Sequence, residues 1–171
     1  MPWTRQTLAS LRRRLQERVE VVPFWSPEEA RIALNEALQF WNLLTGTWKR
    51  RITLDADPSS DPFMALPASL TFGMRVAYQG QPLAPGSLPD LFRGRPFWWT
   101  ERTTAGGDVP VRPMVGAPVS LQLIAVWPRS AAFVAAAYTV DGVAATPVLD
   151  SEEEAVDLED GVIDPLLGYA L

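Results

Sequence analysis

Residues 26–46 are the stretch with the fewest ways to fold. Ser26 stands where an N-cap belongs, its hydroxyl able to accept from a free N–H of the first turn. Pro27 falls at the first helical position, where a missing N–H costs nothing. Glu28 and Glu29 set negative charge at the positive end of the helix, and Glu29 completes a capping box with Ser26. Trp25 and Ala30 have the spacing of a hydrophobic staple. Ala30, Ala33, Leu34, Ala37, Leu38, Trp41 and Leu44 recur at three- and four-residue steps, which makes one apolar face. Gly46 is a natural stop. The pattern predicts a helix over 26–45.

Around it, 16 prolines in 171 residues cut the chain into bounded segments and argue against a long helical bundle. Leu8, Leu11, Leu15 and Val19 predict a first helix over about 4–20, capped by Thr4 or Thr7, with Arg12, Arg13, Arg14 and Arg18 mostly off the apolar face. Residues 21–25 form a short apolar link broken by Pro23. Alternation then replaces the helical period. Residues 47–54 read as a strand, with Arg50 out of pattern. Residues 57–61 are a turn cluster, 63–70 an extended segment, and 72–78 a strand turned at Gly80 and returning through Gln81-Pro82-Leu83. Ser87 caps one helical turn over 87–92. Phe97-Trp98-Trp99 is a dense aromatic cluster, and 105–108 a turn. Strands are expected over 119–126 and 132–140, with Asp141-Gly142 as a turn. The acidic run 150–160 is too polar to be buried. Leu166, Leu167, Tyr169, Ala170 and Leu171 form a short apolar end, the beginning of a helix opened by Asp164-Pro165.

The net charge of −5 is unevenly spread. Residues 1–51 hold nine Lys/Arg against five Asp/Glu (+4), residues 52–145 six against seven (−1), and residues 146–171 none against eight (−8). Such asymmetry suits head-to-tail contact between copies, or separate partners at the two ends.

Histidine and cysteine are both absent. Disulfides, thiolate chemistry and any Ser-His-Asp or Cys-His arrangement are thereby excluded, as are the commonest metal ligand and the commonest general base. No Gly-rich phosphate loop is present, because Ala105-Gly106-Gly107-Asp108 lacks both the lysine and the strand-to-helix context. Glu28 and Glu29 are explained by helix capping, and Glu152 to Glu154 sit in a polar run. A hydrolase built on these acids is the weakest of the readings. Trp98 and Trp99, beside Arg95 and Arg102, have the chemistry to stack a sugar or a base. The commoner role for such rings is a core or a subunit contact. The expectation is no catalytic, cofactor or metal residues. The basic start has no apolar core behind it, so no signal peptide is expected, and no run is long enough for a membrane span.

The order of motifs carries a resemblance. A short helix and the capped helix Ser26-Pro27-Glu28-Glu29-Ala30 … Leu34-Asn35-Glu36-Ala37-Leu38 precede the basic strand Lys49-Arg50-Arg51-Ile52-Thr53-Leu54. Phe63 … Leu66-Pro67-Ala68-Ser69-Leu70 follows, then Arg75-Val76-Ala77-Tyr78-Gln79-Gly80-Gln81-Pro82-Leu83. Later come Val126-Trp127-Pro128 and Ala137-Tyr138, and an acidic, Pro-containing end with Tyr169-Ala170-Leu171. Over most of its length the chain resembles the head–tail adaptor (head-completion, connector) proteins of tailed bacteriophages. Many members continue through one or two further helices beyond the equivalent of Leu171.

The resemblance implies an α+β fold: an N-terminal helical body, a β-rich insertion of antiparallel strands at about 48–145, and an extended acidic C-terminal segment. It implies a single adaptor domain over 1–149, followed by an acidic linker and apolar segment over 150–171. The implied function is a structural virion protein with no enzyme activity. It would form a ring, commonly of twelve copies, below the portal protein, assembled in the host cytoplasm. It would extend the channel for duplex DNA without sequence-specific binding, and dock the next neck or tail protein. Arg12, Arg13, Arg14 and Arg18 are the expected neighbour or portal contact, with Trp98 and Trp99 as a further interface. Leu166, Leu167, Tyr169 and Leu171 are expected to insert into an adjacent ring. The alternative is a small aromatic-rich carbohydrate- or receptor-binding virion module using Trp98 and Trp99.

Overall fold

A computed structural model of the chain describes residues 2–19, 26–54, 61–131 and 134–171. The expected staple residue Trp25, the 21–25 link and most of the 57–61 turn lie outside them. The chain divides into two compact units, one formed by Met1–Thr47 with Thr146–Leu171, the other by Trp48–Ala145.

In the first unit, β1 (Trp3–Thr7) pairs antiparallel with β10 (Ala155–Glu159), and three helices complete the packing: α1 (Leu8–Arg18), α2 (Pro27–Thr45) and α4 (Asp160–Tyr169). The capped helix is as its sequence demands. Ser26 and Glu29 close the reciprocal capping box, Pro27 opens the first turn, and Gly46 ends it in the left-handed region at φ 61°. Ala30, Leu34, Ala37 and Leu38 are buried. The returning chain is pinned to this helix by two asparagines. The Asn35 side chain donates to the Leu149 carbonyl (3.0 Å) and accepts from the Leu149 N–H (2.8 Å), while Asn42 donates to the Thr146 hydroxyl (3.0 Å).

The expected helix over 4–20 begins later. Thr7 is its N-cap, accepting from the Ser10 N–H at 3.1 Å, and the residues before it are a strand. Burial explains the division. Gln6 and Leu8 face the core, as do Val156 and Leu158 of β10, so the two-residue period of a half-buried ribbon wins at the front of the segment.

Among its described residues the second unit holds two four-stranded sheets. β2 (Lys49–Leu54), β9 (Tyr138–Ala144), β4 (Leu70–Tyr78) and β5 (Gln81–Pro82) form one in that order. β3 (Phe63–Ala65), β8 (Leu123–Trp127), β7 (Val115–Ser120) and β6 (Ala84–Pro85) form the other. Leu54, Val76, Tyr138 and Val140 from the first sheet meet Met64, Ile124 and Val126 from the second in one core. β8 is covered on both faces. Alternate residues Ile124 and Val126 enter that core, whereas Ala125 lies with Ala117 under Trp98 and Leu91 of α3 (Leu88–Gly94). Two alanines leave the space that the indole fills.

Several expectations are corrected. The helices are not an N-terminal body: α3 lies mid-chain and α4 near the C-terminus, mixed with ten strands in three sheets among the described residues. The acidic C-terminal segment is not an extended linker. It supplies β10 and α4, with Val156 and Leu158 buried, because the acids alternate with apolar residues that face inward. The terminal helix starts at Asp160, and Pro165 lies inside it. Ile163, Leu166 and Leu167 share one buried stripe that runs through the proline. The β-rich part is not wholly antiparallel, since β6 and β7 run parallel. The single strand over 119–126 is instead the hairpin β7–β8, turning at Leu121 and Gln122. Asp141-Gly142 is not a turn; both residues lie in β9 between two neighbours.

Tyr138 shows what the second core demands. Its ring lies 4.9 Å from that of Tyr78, and its buried hydroxyl has no hydrogen-bond partner among the described residues. Burial raises its pKa, with Tyr78 adding to the effect. The unfolded chain releases a tyrosine proton near pH ~10, whereas the folded chain keeps this one. The unfolded state then binds fewer protons, so stability is complete below that pH and falls as pH rises beyond it. Tyr138→Phe is expected to flatten this alkaline loss, as read from denaturant midpoints between about pH 9 and 12.

Candidate functional site

Surface is where this chain has its options. Among the described residues no group of three or more Asp or Glu side chains converges as a metal site. Of the acids near one another, Glu28 accepts from Arg31 and Glu152 pairs with Arg12, while two others are held by the backbone. The Glu29 carboxylate accepts from the Ser26 N–H, and Glu154 accepts from the Asp150 and Ser151 N–H groups, which lowers both pKa values.

The basic front and the acidic end meet within the same unit. Arg12 pairs with Glu152. Arg18 donates to the Asp164 carboxylate at 2.5 Å and to its carbonyl at 3.0 Å. Arg31 is held between Glu28 (2.6 Å) and Asp150 (2.7 Å), and its pKa is raised, chiefly by the bond to Glu28. Of the expected basic contact surface, Arg12 and Arg18 are therefore engaged in-chain. Arg13 stands only 3.9 Å from Glu17 on an exposed turn, and Arg14 is exposed with no partner among the described residues. The charge asymmetry first serves to dock the C-terminal segment onto α1 and α2. Such exposed pairs orient more than they stabilise.

The other expected positions divide sharply. Leu166 and Leu167 are 0% and 1% exposed, so they belong to this unit's own core and cannot insert into a neighbour. Tyr169 and Leu171 are exposed. Trp98 is 1% exposed and out of reach of any ligand. Trp99 reaches the surface, where its ring lies 5.5 Å from Phe92 and 5.8 Å from Phe97, both exposed. Arg95 is not free to join them. Its guanidinium stacks over Trp127 at 4.7 Å and reaches Glu101 at 3.2 Å, while Glu101 also accepts from the Trp127 indole at 2.6 Å.

One surface was missed. α2 carries apolar residues on a second face: Ile32, Phe40, Leu43 and Leu44 are all exposed, Leu44 despite its place in the expected core stripe. The end of α4 extends this face. Tyr169 packs edge-on against Phe40 at 5.2 Å and lies 6.1 Å from Trp41. Phe40, Leu43 and Tyr169 border an open groove of about 580 Å³ together with Ala33, Ala37, Ala170 and Leu171. The signal was present, since a helix apolar on both sides needs cover on both sides. No protein-family model matches this chain, and no curated protein matches it.

Proposed function

We propose that this chain is a structural head–tail adaptor of a tailed phage. It forms a ring below the portal, extends the DNA channel and docks the next neck or tail protein. The observation that supports this most is the second apolar face of α2, continued by Tyr169 and Leu171. Apolar surface of that kind, bordered by Glu36 and Gln39, suits a protein partner rather than a small polar substrate. In this reading it meets a neighbouring protein of the head–tail junction, and the aromatic surface of Phe92, Phe97 and Trp99 on the other unit is a further contact.

Charge supports the passage of DNA without capture. Each phosphate that a cation neutralises adds salt-dependent affinity. Arg12, Arg18, Arg31 and Arg51 are already neutralised by Glu152, Asp164, Asp150 and Asp141, in a chain of net charge −5.

A second reading draws on Trp99, Phe92 and Phe97, whose exposed rings suit a sugar face. Particle mass separates the two. Sedimentation and imaging are expected to show rings with an open centre, formed at high concentration or on added portal rings. A chain that stays monomeric under both conditions overturns the adaptor reading. If that monomer binds glycan and loses it on Trp99→Ala, the second reading takes its place.

A further inference from the structure

Sheet edges are sites where chains join unless something blocks them. Most edges here are blocked. β2 carries Lys49, Arg50 and Arg51 in succession, β3 has three residues, and β5 and β6 have two each and contain Pro82 and Pro85. The β1–β10 ribbon is different. It is two strands wide, five residues long on each side, regular in register and without proline or bulge.

Its outward-pointing groups can be assigned. The Leu8 N–H donates to the Glu154 carbonyl (3.0 Å), and the Asp160 N–H donates to the Pro2 carbonyl (3.3 Å). With the antiparallel register between them, the backbones of Thr4, Gln6, Val156 and Leu158 point across the ribbon. Those of Trp3, Arg5 and Thr7 point away from it on one side, and those of Ala155, Asp157 and Glu159 on the other. Among the described residues no strand takes either row. Trp3, Arg5 and Asp157 are also exposed as side chains.

The two edges differ in charge. The β1 edge carries Arg5, whereas the β10 edge carries Asp157 and Glu159. Pairing β1 with β1 sets Arg5 beside its own copy, and pairing β10 with β10 sets acid beside acid; like charges across a ladder are unfavourable. Only the unlike edges combine without this cost. We propose that copies of this chain join head to tail, the outer edge of β10 in one copy forming a ladder with the outer edge of β1 in the next. This is a heterologous contact, which a cyclic arrangement closes. With the cyclic axis along the strands, every junction is antiparallel and the ribbons become one continuous barrel. The inference rests on the ring reading above and supplies its contact.

Proline offers a direct test, because it deletes an N–H that the in-chain ladder does not use. Arg5→Pro blocks only the β1 edge and Asp157→Pro only the β10 edge. Each variant alone is expected to shift the assembly midpoint to at least about tenfold higher concentration, roughly what one ladder hydrogen bond is worth. Below that shifted midpoint their equimolar mixture is expected to give dimers and nothing larger, because each partner retains one unaltered edge and they are complementary. Hydrogen exchange adds a readout free of substitution: the Arg5 and Asp157 amides of the assembled wild-type chain are expected to be protected relative to the monomer. If the wild type assembles and both variants assemble equally well, the edge contact is wrong and the ring reading stands. If both variants misfold, exchange decides, and unprotected Arg5 and Asp157 amides in the particle overturn the contact. If the wild type never assembles, the ring reading fails first and this contact fails with it.

Discussion

Deletion of residues 150–171 is expected to unfold the unit made by Met1–Thr47 and Thr146–Leu171, rather than trim a tail from it. The deletion removes β10, so Gln6 and Leu8 lose the ribbon partner that covers their face. It also removes α4, which packs against α1 and α2. Val156, Leu158, Ile163, Leu166 and Leu167 go with it, all buried. Fully burying such side chains is worth about 1.5–3 kcal/mol each. The five together amount to roughly 8–15 kcal/mol, as much as a whole domain's net stability. Arg12, Arg18 and Arg31 lose their acidic partners as well. Far-ultraviolet circular dichroism is expected to show loss of the α1 and α2 signal. A truncated chain that keeps its full helical signal and melts cooperatively at the original temperature would show that the segment is dispensable.

Gly142→Ala is expected to destabilise the second unit by about 1–3 kcal/mol, the usual cost of forcing atoms into a packed interior. Gly142 sits in β9 opposite Arg50 on one side and Gly73 on the other, beside the irregular register at Gly73 and Arg75. A Cβ there would lie 2.5 Å from the Phe72 carbonyl oxygen, 3.1 Å from a Leu70 methyl and 3.3 Å from the Gly73 Cα. The nearest obstacle is backbone, which cannot swing aside as a side-chain tip can. Gly142→Val is expected to cost more, since its added methyls have no free direction. Urea titration checks both, with a lower midpoint at unchanged slope. An unaltered midpoint for Gly142→Ala would mean that β9 and β4 are not this close.

Gly142 also shows why part of the fold was illegible. Asp-Gly reads as a turn because both residues tolerate turn geometry. Here glycine is needed for the other reason, that two strands approach closely and leave no room for a Cβ. That reason exists only once β4 is in place, some 70 positions earlier in the chain. The helix over Pro27–Thr45 lies at the other extreme. Its cap, its first-turn proline and its stopping glycine act within a few residues of one another, so they could be read without knowing any partner. The Ser87 cap of α3 was legible in the same way.

The candidate surfaces follow the same division. Phe97, Trp98 and Trp99 could be read as an aromatic cluster, but not which ring would be sealed in. Trp98 is buried because Ala117 and Ala125 make space for it, whereas Trp99 faces out. Leu166 and Tyr169 looked equivalent in an apolar end, and helical rotation put one inside and one outside. The opposite charges at the two ends were plain, but not that they would meet in one unit.

By itself, the sequence determined the chemistry this chain lacks, the capped helix and the locations of its charge. Those depend on residue type and on interactions spanning one helical turn. Only the tertiary structure decided which apolar residues stay uncovered, that the acidic end becomes a strand and a helix, and that one ribbon has no further strand on either edge among the described residues. Each of these is settled by contacts between segments far apart along the chain, where the favourable term is burial against a partner rather than local preference.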